Sequence, residues 1–336
     1  GSCVESIDIL RLVMARVLQT FPMPEPVVEK LRADHDVTQD FFIEGQALIQ
    51  AARGCRGVIA GTESWTLEVM DGVGSGLEAI SRVGTGVDSI DLVAATERGI
   101  AILNAPGENA QTVAEYSVGL MWSLARGIIE ADRSVRTSGF AMRTELSGME
   151  LDGKTVGVVG FGEIGRRVAS ICQRGFGMKV LVNTAHPDPD RLKSLGITAD
   201  FVEMDQLLAA SDFVSLNAAV NARTMHMIGR KELMLMKPTA YLINPSRGHL
   251  VDEDALVDGL RQGEIAGYGS DVFDVEPPPP DHPLFSLPNV VLSPHFAGGT
   301  NESMTRMSER AVENLAERLA GGQPKRTVNP EVYNDD

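Results

Sequence analysis

Arg247, Glu276 and His295 carry side chains that together could do acid–base chemistry beside a carboxylate. A guanidinium is a planar fork that can bind a carboxylate through two parallel hydrogen bonds and polarise an adjacent carbonyl. An imidazole titrates near ~6.5, so it can give or take a proton around neutrality. A carboxylate on its other ring nitrogen would fix its orientation and favour the protonated form. Arg247 lies just after the apolar run Ala240–Ile243, and His295 follows Val290–Leu292 and Pro294, so both fall just past expected strand ends. Taken singly, each has a bland reading: a solvated loop arginine, a surface glutamate before a proline, a hydrogen-bonded histidine.

A second constellation lies upstream. Thr155–Val159 is a buried-strand run, Gly160-Phe161-Gly162-Glu163-Ile164-Gly165 follows at once, and helical spacing with Val168, Ala169 and Ile171 comes next. A bare GxGxxG is weak, but strand before and helix after make it a dinucleotide-binding turn. Gly160 permits the tight turn, Gly162 lets the backbone approach a pyrophosphate, and Gly165 lets helix and strand pack closely. The helix start offers unpaired N–H groups and a positive dipole end to phosphates. The next strand, Lys179–Val182, ends in Asn183-Thr184-Ala185-His186, with no acid before Asp188. An acid there would bind ribose hydroxyls and repel a 2′-phosphate. Thr184 would not repel it, and His186 could add a donor, so the sequence leans towards NADP. The alternative is NAD, its ribose held by neutral bonds from Thr184 and Asn183.

The elements that must position these groups alternate. Strands are expected at Ala15–Thr20, Gly57–Ala60, Ala79–Val83 and Ile100–Asn104, then at Thr155–Val159, Lys179–Val182, Phe213–Leu216, Ala240–Ile243 and Val290–Leu292, with a short one at Ile265–Ser270. Helices are expected over Pro26–Asp34, as one long element from Glu108 to about Thr137, and over Asn301–Ala320 before Gly321-Gly322. Such alternation implies parallel sheets with crossover helices on both faces, and ligands at the carboxyl ends of the strands. Pro277–Pro280 can be neither helix nor central strand and must be a stiff loop.

Gly84-Thr85-Gly86-Val87-Asp88, Asn104-Ala105-Pro106-Gly107, Val113-Ala114-Glu115, the glycine motif, Ser246-Arg247-Gly248, Asp271-Val272-Phe273, Glu276-Pro277 and Pro294-His295 occur in one order. In that order they resemble the D-2-hydroxyacid dehydrogenases, a family that includes phosphoglycerate dehydrogenases and glyoxylate/hydroxypyruvate reductases. The resemblance covers roughly residues 15–332. It implies an α/β chain of two doubly wound parallel-sheet domains, with a Rossmann-type NAD(P)-binding domain at 104–295 inserted into a flavodoxin-like substrate domain of 1–103 and 296–336. The implied active site lies in a cleft whose closure would exclude water. The implied activity is hydride transfer between a nicotinamide cofactor and a small 2-keto or D-2-hydroxy acid, with Arg247, Glu276 and His295 as the catalytic set.

Other positions carry over individually. Gly84, Thr85 and Gly86, with Arg247, would bind the substrate carboxylate. Thr85, Ser246, Arg247, Asp271 and His295 would border the cofactor, Asp271 contacting its carboxamide. Glu163 and Ile164 would present backbone to the pyrophosphate. Leu216-Asn217-Ala218-Ala219-Val220 stands where the family commonly has a His and a Pro, so Ala218 and its neighbours are expected to contact the cofactor by backbone only. Ser270 replaces a more usual apolar residue. His282 matches a recurrent structural turn, and His186, His226 and His249 are expected at the surface or behind the site. No appended regulatory domain is expected. A homodimer through the cofactor domains is a further implication. The resemblance leaves two alternatives: a phosphoglycerate dehydrogenase-like enzyme, suggested by Gly84-Thr85-Gly86-Val87-Asp88 but without an evident basic cluster for a phosphorylated substrate, and a dinucleotide-sensing regulatory protein on the same fold, which the complete Arg–Glu–His set disfavours.

Bulk properties narrow the classes. At 336 residues the chain suits about two domains, and 43% hydrophobic with 23% charged residues is a globular balance. A net charge of −16 argues against nucleic acid or an anionic membrane as partner. Cys3, Cys55 and Cys172 are too scattered for a disulfide framework or zinc site, and no metal is expected. Reduced thiols, no run long enough to span a bilayer, and arginines at 11 and 16 within the apolar segment 8–18 point to the cytoplasm. Gly1-Ser2 reads as a cloning remnant, with Met14-Ala15-Arg16 as the native start.

Overall fold

The computed structural model describes residues 14–334. The readings of Gly1-Ser2, of Cys3 and of residues 8–13 lie outside the described residues. The chain divides into two compact units, one running to Asn109 and resuming at Gly299, the other Ala110–Gly298.

In the first unit the strands are β1 (Arg16–Gln19), β2 (Asp36–Gln39), β3 (Gly57–Ala60), β4 (Ala79–Arg82) and β5 (Ala101–Leu103). They form one parallel sheet in the order β2-β1-β3-β4-β5, the flavodoxin-like arrangement. Alternate side chains of each strand enter different cores. Leu18, Val58 and Ile80 pack with Leu48, Trp65 and Met70 on one face, while Val17, Ile59 and Ala79 pack with Leu31, Met307 and Leu315 on the other. Both faces are therefore covered, which is why β3 is apolar throughout. The helix Asn301–Leu319 lies close on the second face: a Cβ on Gly57 would sit 2.8 Å from Leu315 Cδ1.

The second unit holds β6 (Thr155–Val159), β7 (Lys179–Asn183), β8 (Asp200–Phe201), β9 (Phe213–Leu216), β10 (Tyr241–Asn244), β11 (Gly267–Ser270) and β12 (Val290–Leu292). All pair in parallel, in the order β12-β11-β10-β9-β6-β7-β8. Val156 and Val158 face a core with Met121, Val168 and Cys172, and Val159, Val214 and Leu242 face another with Leu207, Leu250 and Leu256. The strand order reverses at β6, between β7 and β9. That is the topological switch point at which such sheets bind ligands.

Two expectations need correction. The long helix over 108–137 is two helices, Ala110–Arg126 and Ile128–Ser138, because Gly127 sits at φ +57°. A left-handed residue ends a helix, and glycine takes that conformation without the Cβ penalty. The strands β2 and β8 have no counterpart among the expected ones; both lie at sheet edges, one largely exposed and the other two residues long. Cys55 and Cys172 are free and buried, and burial pushes the Cys172 thiol up to about 12. Among the described residues, no helix is long and apolar enough to cross a membrane.

Candidate active site

The glycine turn leaves the carboxyl end of β6, and its three glycines differ in what surrounds them. Gly160 has φ +89°, and a Cβ there would lie 2.6 Å from the Asn217 carbonyl oxygen and 2.9 Å from the Ala218 amide. A Cβ on Gly165 would lie 2.1 Å from the Gly160 carbonyl oxygen. Those two are required by packing. Gly162 has nothing within 4 Å of its missing Cβ and caps the helix Glu163–Phe176 without a side chain. Open space therefore faces a helix start whose first N–H groups have no intrahelical acceptor, a cradle that fits a pyrophosphate.

The Glu163 carboxylate does not oppose an anion there. It pairs with Arg166 and, at 2.7 Å, with Arg167. The Arg167 hydrogen bond and both guanidinium charges hold it below the usual carboxylate range despite partial burial. Arg166 is itself buried and donates Nε to the Gly162 carbonyl at 3.0 Å, bracing the turn. Ile164 packs its side chain against the core beneath.

Neighbouring strand ends add the remaining groups. At the end of β7, Asn183 gives its carbonyl to Gly160 N–H at 2.8 Å and its amide nitrogen to the Val202 carbonyl at 3.0 Å. The Asn183 side chain is thus occupied, whereas Thr184 is half-buried and only accepts, at 3.4 Å, from the amide of exposed His186. Past β9, the Ala218 backbone is pressed against the Gly160 turn. Ser246 Oγ donates to the Leu216 carbonyl at 2.8 Å, joining the ends of β9 and β10.

The ionisable set gathers at β10, β11 and β12. Arg247 Nη1 donates to the Ser246 carbonyl at 2.7 Å, and the Arg247 carbonyl accepts from Asn244 Nδ2 at 2.8 Å. The next residue has to be glycine. A Cβ on Gly248 would lie 2.0 Å from the Phe273 carbonyl, so the Arg247 loop rests directly on the backbone leading to Glu276. His295 Nδ1 and Glu276 Oε2 are 2.6 Å apart, and Glu276 Oε1 accepts from Phe273 N–H at 3.0 Å. Burial raises the Glu276 pKa, but the bonds from His295 and Phe273 and the charges of His295 and Arg247 outweigh it and hold the carboxyl below its ordinary value. His295 is half-exposed and sits at φ +54°. For a side-chain-bearing residue that conformation costs on the order of 1–3 kcal/mol and persists only where its surroundings hold it.

Asp271, 1% exposed, does the holding. Its Oδ1 accepts from Ser293 Oγ at 2.6 Å and Phe296 N–H at 2.7 Å, its Oδ2 from Ala297 N–H at 2.6 Å, and its carbonyl from His295 N–H at 2.8 Å. Ser270 stands in for an apolar residue because its hydroxyl is fully engaged. It lies 3.0 Å from the Asn244 carbonyl and 2.8 Å from that of Val272, and receives the Tyr268 hydroxyl at 3.0 Å. Reading the motif from Pro294 onward overlooks Ser293. The only signal in the sequence is a hydroxyl residue two positions before the histidine.

The other histidines take lesser places. His282 bonds Glu253 at 3.1 Å within a turn, and His226 and His249 each lie 3.8 Å from Asp274 Oδ1. Among the described residues no cluster of three or more His, Cys, Asp or Glu could hold a metal ion.

The Gly84–Gly86 loop belongs to the first unit, past the end of β4. Thr85 Oγ1 lies 3.2 Å from the Ala105 carbonyl and 3.3 Å from Asn109 Oδ1, and the Thr85 carbonyl accepts from Asn104 Nδ2 at 2.8 Å. The Gly84 carbonyl accepts from Ala105 N–H at 2.8 Å. The Gly84 N–H donates to the Arg82 carbonyl at 2.9 Å, so the loop is anchored through its carbonyls, the Thr85 hydroxyl and one of its amides.

A phosphate cradle at the strand reversal, with acid–base groups on neighbouring strand ends, defines a dinucleotide-binding α/β protein. Residues 118–297 match the model of the D-isomer specific 2-hydroxyacid dehydrogenase, NAD binding domain. A glyoxylate reductase of Korarchaeum cryptofilum is 42% identical over 259 residues, covering 76% of this chain and 77% of that protein. A glyoxylate reductase of Thermofilum pendens is 38% identical over 325 residues, covering 94% and 95%. Among solved structures, the TT0316 protein from Thermus thermophilus has a TM-score of 0.85 at 36% identity, covering 93% of this chain and 99% of that one. The chain belongs to the D-isomer specific 2-hydroxyacid dehydrogenase family, oxidoreductases that work with a nicotinamide cofactor.

Proposed function

We propose that this protein reduces glyoxylate, or a closely related small 2-keto acid such as hydroxypyruvate, to the D-2-hydroxy acid, and runs the reverse reaction on the product. The 2.6 Å contact between His295 Nδ1 and Glu276 Oε2 carries the reading. It ties one ring nitrogen to a carboxylate and leaves Nε2 to exchange a proton with the substrate oxygen. In reduction, protonated His295 gives the Nε2 proton to the oxygen as negative charge develops there; in oxidation it takes that proton back. Arg247 holds the substrate carboxylate and polarises the neighbouring carbonyl. In the first unit, the Gly84–Gly86 loop is the proposed carboxylate-binding loop, through the amides of Thr85 and Gly86, since Gly84 N–H already donates to the Arg82 carbonyl at 2.9 Å. The bound nicotinamide supplies or accepts the hydride.

For the coenzyme we favour NADP. Gly160, Gly162 and Gly165 shape the pyrophosphate cradle, with backbone from Glu163, Ile164 and Ala218, while Ser246 and Asp271 border the nicotinamide half. Thr184 puts a neutral hydroxyl where an acid would exclude a 2′-phosphate. A second copy of the chain is the proposed partner. Trp122, Ile128, Ile129, Val135 and Phe140 are exposed apolar residues close together in sequence on the second unit, a run that a homodimer would cover. Buried free thiols suit the cytoplasm.

The test is a panel of glyoxylate, hydroxypyruvate, pyruvate and 3-phosphohydroxypyruvate, each with NADPH and NADH, following reduced-nicotinamide absorbance. Turnover fastest with glyoxylate or hydroxypyruvate supports the proposal. Clear coenzyme binding with no turnover of any acid would replace it with a dinucleotide sensor.

A further inference from the structure

We infer that Ser293 is a positioning residue for His295, acting through Asp271. The inference rests on His295 being the acid–base group, and it assigns the hydroxyl that keeps that group in place.

His295 occupies a left-handed backbone conformation at φ +54°, in a turn that leaves β12 and has no regular secondary structure to stabilise it. Four hydrogen bonds converge on Asp271 to hold this turn: Ser293 Oγ, Phe296 N–H and Ala297 N–H reach its carboxylate, and His295 N–H reaches its carbonyl. Three of the four donors are backbone amides, which almost any sequence would supply. The fourth is the one side-chain donor in the set. It lies upstream of the histidine, whereas the two amides on the carboxylate lie downstream, so the carboxylate grips the turn on both sides of His295. Ser293 is further fixed by its own backbone, which donates to the Ser270 carbonyl at 3.0 Å. Ser270 is in turn the buried hydroxyl that joins the ends of β10 and β11.

Asp271 is 1% exposed and carries a full set of donors on Oδ1. A buried carboxylate that loses a donor keeps its charge and lacks the compensating bond, so it draws on whatever other groups can reach it. Removing the Ser293 hydroxyl therefore lets the turn shift about the two downstream amides. The 2.6 Å contact of His295 Nδ1 with Glu276 Oε2 is the feature most exposed to that shift, because a carboxylate–imidazole bond is short and directional. The expected consequence is a loss in the proton-transfer step with coenzyme binding largely left in place, since the glycine turn and Thr184 stand on other strand ends and Asp271, which borders the nicotinamide half, keeps its bonds from Phe296 and Ala297 N–H.

The experiment compares Ser293→Thr with Ser293→Val, which differ by one hydroxyl in nearly the same volume, and adds Ser293→Ala. Two readouts are taken on full-length protein. The first is the long-range proton–nitrogen NMR signature of the His295 ring in coenzyme-free enzyme, assigned by its disappearance in His295→Gln. Ser293→Thr should keep the wild-type pattern, and the Val and Ala variants should lose the bonded Nδ1 signature. The second is steady-state reduction of glyoxylate: kcat should fall about tenfold in the Val and Ala variants, roughly the effect of one charge-assisted hydrogen bond. KM and coenzyme Kd should stay within about twofold, and Thr should restore kcat. A wild-type ring signature in both Val and Ala variants would overturn the inference, as would equal loss of kcat in Thr and Val. If wild-type enzyme turns over no keto acid, the proposed function fails, and the ring signature still decides the role of Ser293.

Discussion

Each unit places a glutamate just past the carboxyl edge of its parallel sheet, and the two are built to opposite ends. Glu63, past β3, is 5% exposed and saturated: Oε1 takes the Thr20 hydroxyl and, at 3.3 Å, Trp65 Nε1, while Oε2 takes Gly61 N–H at 2.9 Å. Its partners are groups that do not titrate near neutrality, so it works as a knot joining the ends of β1 and β3. Glu276, past β11, is about one-third exposed and divides its oxygens between a backbone amide and an imidazole. Its partner is an imidazole, which can both give and take a proton, and that partner is half-open to solvent. Position at a strand end is therefore not enough to mark a functional acid. What separates the two is whether the hydrogen-bonding partner is a fixed donor or a movable proton.

Substitution at the two positions should separate along the same line. Glu276→Gln is expected to lower kcat for keto acid reduction by about 10–100-fold, the range for groups that orient a reactive side chain, with a melting temperature within a few degrees of wild type. Glu63→Ala is expected to do the reverse, leaving Trp65 Nε1–H without an acceptor and the Thr20 hydroxyl and Gly61 N–H with only their longer bonds, to the Ile59 carbonyl at 3.1 Å and to Thr20 Oγ1 at 3.4 Å. That should cost about 1–3 kcal/mol of stability in denaturant unfolding, with coenzyme affinity unchanged. A stable Glu63→Ala protein, or a Glu276→Gln enzyme at full rate, would collapse the distinction. Thr184→Asp probes the neutral strand end in the second unit and should move the ratio of NADPH to NADH efficiency about tenfold towards NADH; an unchanged ratio would place coenzyme choice elsewhere.

The smallest effect concerns a buried group in the first unit with neither kind of partner. His35 is 5% exposed, and neither ring nitrogen has a hydrogen-bond partner. Burial pushes its pKa down, against the pull of Asp34 and with the push of Arg56. The unfolded chain then binds the proton more readily than the fold, so stability falls as pH drops below about 6.5 towards the depressed folded value. His35→Leu should remove that part of the acid sensitivity, seen as a flatter melting temperature between about pH 6.5 and 5. An unaltered slope would show that His35 does not contribute.

Much of this was legible in the sequence where physics leaves few choices. Buried strands such as Gly57–Ala60, Thr155–Val159 and Phe213–Leu216 are uniform apolar runs because both faces are covered. The glycine turn was readable because Gly160 and Gly165 have no room for a Cβ. Two of the edge strands, β2 and β8, were not, although the apolar edges β5 and β12 were: Asp36–Gln39 is mostly polar, as an exposed edge should be, and so looks like loop. The break at Gly127 was hidden because one glycine inside an apolar periodic segment does not announce a left-handed residue. In the site, Arg247, Glu276 and His295 could be nominated by chemistry and motif order. The support for His295 could not, because the bonds of Asp271 to 293, 296 and 297 exist only once β11 and β12 lie side by side.

His295→Gln tests the central claim most directly. Measured with glyoxylate and saturating NADPH or NADH, the variant should bind coenzyme with a Kd within about threefold of wild type and lose at least about 100-fold in kcat, the scale of a positioned acid–base group. Wild-type turnover by His295→Gln, with the protein folded and coenzyme bound, would contradict the assignment of His295 as the group that moves the proton.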